Sequence, residues 1–200
     1  MKRLFAALLL FVAGAVHADL AADHAARLRA LYGDRPTPAL FREYVAPLTS
    51  LGEAPVDWLP TLRPIAQELA KGAPSALEAA RRINRGLWGR VGVVYSTKRD
   101  KANQDPLHSM RIGKASCSGL SILLADACRS VGIPARLVGC NWRAKPGNHT
   151  WVEVWSEGAW HALGAAEDCA PEALWFLPDA AEAIAAAILS LKGPRHGGAN

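Results

Sequence analysis

Apolar side chains recur along this chain with two different periods, and each period predicts one kind of element. In residues 19–32, 75–88 and 116–130 they recur every three to four positions, which is typical of a helix with one buried face. Residues 149–155 instead alternate with a period of two, which is typical of a strand with two different faces. The pattern therefore predicts amphipathic helices in the first two thirds of the chain and a well-defined strand after them.

Turn residues and shorter apolar runs predict the remaining elements. In chain order these are a short helix at 38–45, an irregular or partly helical stretch at 47–64, a strand at 91–95, a long polar loop at 98–114, a strand at 135–138, a hairpin strand at 159–163, a turn with a short helix at 171–178 and an alanine-rich helix at 179–191. Helices come first and antiparallel strands follow, so the layout is α+β and not an alternating βαβ arrangement. We expect the helix at 116–130 to pack on the antiparallel sheet.

The first 18 residues have the pattern of a secretory signal peptide. Met1-Lys2-Arg3 is basic, residues 4–12 are apolar, and Val16-His17-Ala18 fits a signal-peptidase site. The apolar run is shorter than the ~20 residues that a membrane span needs. We therefore expect cleavage before Asp19 and a periplasmic or secreted product with no stable membrane span; an uncleaved anchor is the alternative.

Composition and charge narrow the class of protein. The chain has 200 residues, a length that suits one domain, and half of them are hydrophobic, which excludes a disordered chain. Residues 81–145 hold thirteen basic and three acidic side chains, whereas the rest of the mature chain is net negative. Such a segment either creates a field that attracts anions or is compensated within the fold. We expect no binding to nucleic acid, because no recognition motif is present in this exported sequence.

Cys117 carries the clearest chemical signal. It follows Ser116, a predicted N-cap, at the first turn of a helix, where backbone N–H groups and the helix dipole favour a thiolate. A cysteine nucleophile needs a base, and His149, at the start of its strand, is placed to face that helix end. The imidazole in turn needs an orienting acceptor. Glu167 and Asp168, which follow the next strand, are the candidates.

The other three cysteines have simpler interpretations. Cys128 lies in the middle of a helix on an apolar face, so we expect it in the core. Cys140 and Cys169 lie at the ends of neighbouring predicted strands and are candidates for a disulfide in an oxidising compartment. The sequence has no C-x-x-C pair, and its spacings match no structural zinc pattern, so we expect no metal.

Three segments carry a resemblance to a known family. They are A-S-C-S-G-L-S-I-L-L-A-D-A-C-R-S-V-G-I-P-A-R around Cys117, N-H-T-W-V-E-V-W around His149, and G-A-W-H-A-L-G-A-A-E ending at Glu167. In this order they resemble the transglutaminase-like superfamily, over residues 80–178. The resemblance implies a papain-like core in which Cys117 is the nucleophile and His149 is the base of a Cys-His-acid triad.

The third position of the triad departs from the family pattern. Many members have an aspartate four residues after the tryptophan that matches Trp160, and this chain has Gly164 there. In the bacterial exported branch that the chain resembles, a G-A-x-E segment supplies the acid, and this favours Glu167. Asp168, or a dyad without an acid, remains open.

The oxyanion donor and the aromatic residues are two further features of the predicted site. The attacked carbonyl oxygen needs a hydrogen-bond donor, and the candidates are the backbone N–H of Cys117 and the side chain of Gln104, since a glutamine serves this purpose in papain-like folds. Trp142 and Trp151 either belong to a thick aromatic core under the sheet or form a wall of the substrate channel.

The resemblance implies an exported thiol enzyme that cleaves or transfers acyl groups at peptide-like amide bonds through an acyl-enzyme, without a cofactor. We favour hydrolysis of a peptide or protein substrate, and the basic segment favours an anionic one. The alternative is a non-catalytic binding or scaffold module on the same fold, because some members are inactive.

The predicted organisation is a signal peptide at 1–18, a helical N-terminal region at 19–79, the transglutaminase-like core at 80–178 and a helical C-terminal tail at 179–200.

Overall fold

The computed structural model describes residues 2–33, 36–142, 145–167, 173–182 and 187–189. Its helices are α1 (Lys2–Tyr32), α2 (Pro38–Tyr44), α3 (Leu59–Ala70), α4 (Ala76–Val91), α5 (Pro106–Ile112), α6 (Cys117–Ser130) and α7 (Leu177–Glu182). Its strands are β1 (Val94–Tyr95), β2 (Lys114–Ala115), β3 (Ala135–Asn141), β4 (Asn148–Ser156), β5 (Ala159–Leu163) and β6 (Ala187–Leu189).

Four antiparallel strands form the main sheet, in the order β5-β4-β3-β6. The hairpin of β4 and β5 places Trp155 opposite Trp160, and the pairing of β3 with β4 places Cys140 opposite His149. Strands β1 and β2 form a separate parallel pair just before α6. The expected α+β fold, with α6 packed on an antiparallel sheet, is confirmed.

The two faces of β4 belong to two different cores, as its alternation predicts. Val152 and Val154 join the large core, which also contains Leu120 and Leu124 of α6. Trp151 points to the opposite face and belongs to a smaller cluster, made of Val138, Cys140, Trp151, Leu174, Phe176 and Ala180. The sheet is therefore covered by helices on one side and by the segment around α7 on the other.

Local signals set the start of α6, the central helix. The Oγ of Ser116 accepts the N–H of Gly119 at 3.1 Å, which is the geometry of an N-cap. Every residue from Gly119 to Ser130 is buried. The expected core position of Cys128 is confirmed, since its side chain is completely buried and burial raises the pKa of its thiol to about 12.

Two helices lie in stretches without a clear apolar period, one predicted as irregular or partly helical and the other predicted as a loop. Helix α3 begins in the proline-rich stretch, with Pro60 in its first turn, where a missing N–H costs nothing. Helix α5 lies within the predicted loop at 98–114. Asp105 caps it by accepting the N–H of His108 at 2.8 Å, and Gly113 ends it with a φ of +67°. A helix of seven residues is too short to show an apolar period, so only its caps could have revealed it.

The C-terminal segment also differs from the prediction. Helix α7 ends at Glu182, and residues 187–189 form β6, which pairs with β3. The prediction of one alanine-rich helix over 179–191 is wrong in this part. The open edge of β3 offers backbone N–H and C=O groups that an added strand satisfies, and this outweighs the helix propensity of alanine.

Helix α1 is continuous from Lys2 to Tyr32, so it includes both the predicted signal peptide and the helix predicted at 19–32. Cleavage after Ala18, and with it export, stays a prediction. Within the described ranges, no helix combines the length and the apolar character that a membrane crossing requires.

Candidate functional site

The three predicted catalytic residues line one cavity of about 380 Å³. Cys117 reaches it from the start of α6, His149 from the start of β4, and Glu167 from the turn after β5. The other lining residues are Tyr95, Leu120, Asn148, Thr150, Ala165, Ala166 and Trp175. A larger cavity of about 530 Å³ lies near the end of α1, but no cysteine or histidine is among its described lining residues.

Cys117 is a free, partly exposed thiol at the first residue of α6. Ser116 accepts the N–H of Gly119 with its side chain and the N–H of Leu120, at 2.9 Å, with its carbonyl. Ser116 thus accepts the N–H groups of Gly119 and Leu120, and the N–H of Cys117 takes no part in this capping.

Hydrogen bonds to Thr150 fix α6 against β4 beside the cavity. The hydroxyls of Ser118 and Thr150 lie 3.0 Å apart, and Ser121 donates to the carbonyl of Thr150 at 3.0 Å. Since Thr150 follows His149 in the chain, these bonds hold the start of β4 against the first turns of α6.

Aromatic rings surround the half-buried imidazole of His149. The ring centroids of Trp142, Trp175 and Phe176 lie 6.0, 5.0 and 4.7 Å from its own, and that of Trp151 lies at 6.3 Å. Burial lowers the pKa of His149 to about 4, because a charged ring loses hydration there. The imidazole is therefore neutral at pH 7 and able to accept a proton.

Lys145 contacts the aromatic wall beside His149, which is formed by Trp142 and Trp175. Its ammonium lies 4.8 Å from the ring centroid of Trp142 and 5.8 Å from that of Trp175, and it forms an ion pair with Asp179 on α7. A cation between two indole rings is attracted to both of their faces. The wall beside His149 is thus tied to the element that covers this side of the sheet.

Glu167 presents one oxygen to a partner and leaves the other free. Its Oε1 accepts the indole N–H of Trp175 at 2.9 Å. Its Oε2 is buried, as is the Nε2 of His149, and neither atom has a hydrogen-bond partner among the described residues. The cavity is therefore lined by two residues that each keep one buried hydrogen-bonding atom without a partner in the described part of the chain.

The carboxylate of Glu167 folds back onto Gly164, three residues earlier. A Cβ added at Gly164 would lie 2.7 Å from the carboxyl carbon of Glu167 and would overlap its Oε2. The acid therefore occupies the space in which an aspartate at position 164 would project its side chain. Gly164 therefore leaves room for the carboxylate of Glu167, at the position where many family members have an aspartate.

The other predicted site residues that the structure describes, Gln104, Trp142 and Trp151, are not among the residues that line the cavity. Gln104 is buried, donates to the carbonyl of Lys114 at 3.0 Å and is not among the lining residues. Trp142 packs on His149, whereas Trp151 is buried in the small core. Asp168 lies outside the described residues.

The predicted disulfide joins Cys140 to Cys169. Cys140 is a buried free thiol, and burial, followed by the nearby Asp179, raises its pKa. Its expected partner Cys169 lies outside the described residues, so the pairing stays a prediction. Among the residues that the structure describes, no group of three or more histidine, cysteine or acidic side chains could hold a metal ion.

Residues 63–165 match the transglutaminase-like superfamily. This is more than half of the chain, and it includes Cys117 and His149. The chain belongs to the transglutaminase-like superfamily. No curated protein matches it.

Solved structures that are similar to this transglutaminase-like chain share little sequence with it. One is a candidate cysteine protease from Cytophaga hutchinsonii, with 18% identity, a TM-score of 0.47, and coverage of 58% of this chain and 40% of that one. Another is the periplasmic domain of TgpA from Pseudomonas aeruginosa, with 20% identity, a TM-score of 0.40, and coverage of 60% and 48%. The chain thus spans less than half of the length of these two proteins.

The sequence did not single out two residues that line the cavity of this transglutaminase-like chain. Trp175 donates to Glu167 and contacts His149, yet in the sequence it is one of seven tryptophans. Tyr95 is largely exposed at the cavity from the end of β1. Neither position belongs to a motif that the sequence presents.

Proposed function

We propose that the chain is a thiol hydrolase of peptide-like amides, in which Cys117 is the nucleophile, His149 the general base and Glu167 the residue that orients His149. One observation carries the proposal. Three residue types that suit acyl transfer come from separate elements into one cavity, and the carboxylate of Glu167 fills the space beside Gly164.

The chemistry would proceed in two halves. The neutral imidazole of His149 takes the thiol proton, and the Cys117 sulfur attacks the carbonyl carbon of the amide. The backbone N–H of Cys117 donates to the oxyanion that develops, as donors at a helix start can do. His149 then returns the proton to the leaving amine, and a thioester remains on Cys117. Water attacks the thioester with His149 again as base, which releases a carboxylic acid and the free thiol.

Glu167 would act when the imidazole becomes charged. Burial alone lowers the pKa of His149 to about 4, which disfavours the imidazolium that forms in each half-reaction. A carboxylate oxygen close to its Nε2 offsets this cost, because an opposite charge stabilises the protonated ring. Since Nε2 and Oε2 are both buried and unpaired in the same cavity, we infer that they pair during the reaction.

The thioester provides the direct test of this proposal. With a peptide p-nitrophenyl ester, we expect a burst of one nitrophenol per chain, and an acid-quenched sample should carry the acyl mass on Cys117 in a form that hydroxylamine removes. Intact-mass and peptide-mapping spectrometry give the site. An adduct on Cys140, or no burst with a folded chain, would support the non-catalytic alternative.

Moving the acid along the chain tests the role of Glu167. We expect Glu167→Ala to lower kcat/KM by about 100-fold or more, as loss of the orienting acid does in other triads. Adding Gly164→Asp to that variant should restore part of the activity, because the new carboxylate projects into the emptied space. The matched control is Gly164→Ala with Glu167→Ala, which adds the same Cβ without an acid. Equal activity of the two double variants would refute the assigned role.

A further inference from the structure

Asn84 is a buried polar residue on α4 that uses its whole amide group on the turn carrying Glu167 and on one neighbour. Its Nδ2 donates to the carbonyls of Gly164 at 2.8 Å and Glu167 at 2.9 Å. Its Oδ1 accepts the N–H of Ala166 at 3.0 Å and the indole N–H of Trp88 at 3.3 Å. Two donated and two accepted bonds are all that an amide of this kind makes in plane.

The pattern of partners fixes the orientation of this amide. Two carbonyl oxygens face one end of the group and two N–H groups face the other, so exchanging nitrogen and oxygen would place acceptors against acceptors. At position 84, an acid side chain could not both donate to the two carbonyls and accept from the two N–H groups. An aspartate would keep the acceptor but turn the donor end into a second acceptor.

The turn from Gly164 to Glu167 depends on outside support. Ala166 has a φ of +65°, a left-handed conformation that residues other than glycine rarely adopt. Within the turn, the N–H of Glu167 donates to the carbonyl of Gly164 at 3.1 Å. Asn84 binds the backbone of the turn at both of these residues and at Ala166 between them, so it holds the backbone from which the carboxylate of Glu167 folds back.

We propose that Asn84 is a positioning residue, which holds the turn so that the carboxylate of Glu167 lies against Gly164, in the cavity that His149 also lines. This inference rests on the proposed function for its catalytic consequence. Its structural part does not, because it concerns where Glu167 lies. The bond from Trp175 to Glu167 reports on that position directly.

The test follows the indole N–H of Trp175 in the ¹⁵N–¹H spectrum of tryptophan-labelled full-length chain, with Trp175→Phe to assign the signal. We expect Asn84→Ala to shift this signal towards its position in Glu167→Ala, and to shift it no further when the two changes are combined. The indole signal of Trp58, which donates to the carbonyl of Leu48 at 3.0 Å in the large core, should stay in place and shows that the fold is intact. An unchanged Trp175 signal in the folded Asn84→Ala chain would overturn the proposal.

Hydrogen exchange in the unmutated chain gives a second measurement that needs no variant to fold. The backbone N–H of Ala166 belongs to an exposed residue, and we expect its exchange to be slowed by about tenfold or more through its bond to Asn84. Exchange at the rate of an unprotected amide would also overturn the proposal.

Kinetics separate the positioning role from the proposed function. If the chain hydrolyses the ester, we expect Asn84→Ala to lower kcat by up to about 100-fold, as a misplaced catalytic group does, and to change KM by less than about twofold. In the Glu167→Ala background the same substitution should have almost no further effect on kcat. Additive losses in the two backgrounds contradict the positioning role. An inactive unmutated chain whose Trp175 signal still responds as expected contradicts the proposed function alone.

Discussion

A Cys117→Ala variant is expected to lose hydrolysis of the ester and of peptide amides by about 10⁵-fold or more in kcat, because it has no atom that can form the acyl-enzyme. Folding should survive, since Cys117 is partly exposed at the start of α6 and alanine is a good helix former. The measurement is product release under saturating substrate, together with circular dichroism and the Tm of the same sample.

The matched control for this variant is Cys128→Ala on the same helix. Cys128 is completely buried and burial raises the pKa of its thiol to about 12, so it does not supply a nucleophile at neutral pH. We expect this variant to lose about 1 to 3 kcal/mol of stability for the small cavity and to keep its turnover. If Cys117→Ala were as active as the unmutated chain, the thiol mechanism would be wrong.

The second large effect is expected at Arg129, near the end of α6. Its buried guanidinium donates to the carbonyls of Tyr44 and Ala135, to the hydroxyl of Ser50 at 2.7 Å and to the carboxyl of Asp126 at 3.1 Å. Burial raises the pKa of Asp126 well above its usual range, and Arg129 opposes that shift. Arg129→Ala leaves these acceptors without a donor, so we expect the free energy of unfolding to fall by about 3 to 5 kcal/mol.

Urea unfolding followed by circular dichroism measures this loss, and an exposed arginine supplies the comparison. Arg82 on α4 pairs with Glu78 at 3.0 Å in a partly exposed position. We expect Arg82→Ala to cost less than about 1 kcal/mol, because water screens that pair. Equal losses at the two positions would mean that the network around Arg129 contributes no more than a surface ion pair. The network ties α6 to the loop after α2 and to β3, and so supports the helix that carries Cys117.

Local signals in the sequence were sufficient for the elements that carry the proposed nucleophile and base. Ser116 caps α6 as its position before Cys117 predicts, and the alternation of β4 assigns Val152 and Trp151 to opposite faces as expected. These features depend on interactions within a few residues of one another. Such interactions can be read from a single sequence, since the chain itself keeps the partners close.

Elements without a period of their own were not predictable in the same way. Helix α5 is short and its caps are its main signal, and β6 forms on the free edge of β3 although its sequence favours a helix. Gln104 had a chemical precedent, and its role as an oxyanion donor stays a prediction; its amide donates to the carbonyl of Lys114. For β6, a partner far away in the sequence decided the outcome.

The sequence by itself determined the family, the central helix that begins at Cys117, the strand that begins at His149, and the expectation that Glu167 replaces the acid missing at Gly164. Only the tertiary structure decided what surrounds them. It placed Trp175 on Glu167, the aromatic rings around His149 and Asn84 under the turn at Gly164. The physical reason is the range of the interactions: caps and alternation act between neighbours in the chain, whereas burial of the imidazole and support of the turn need side chains from elements that meet only after folding.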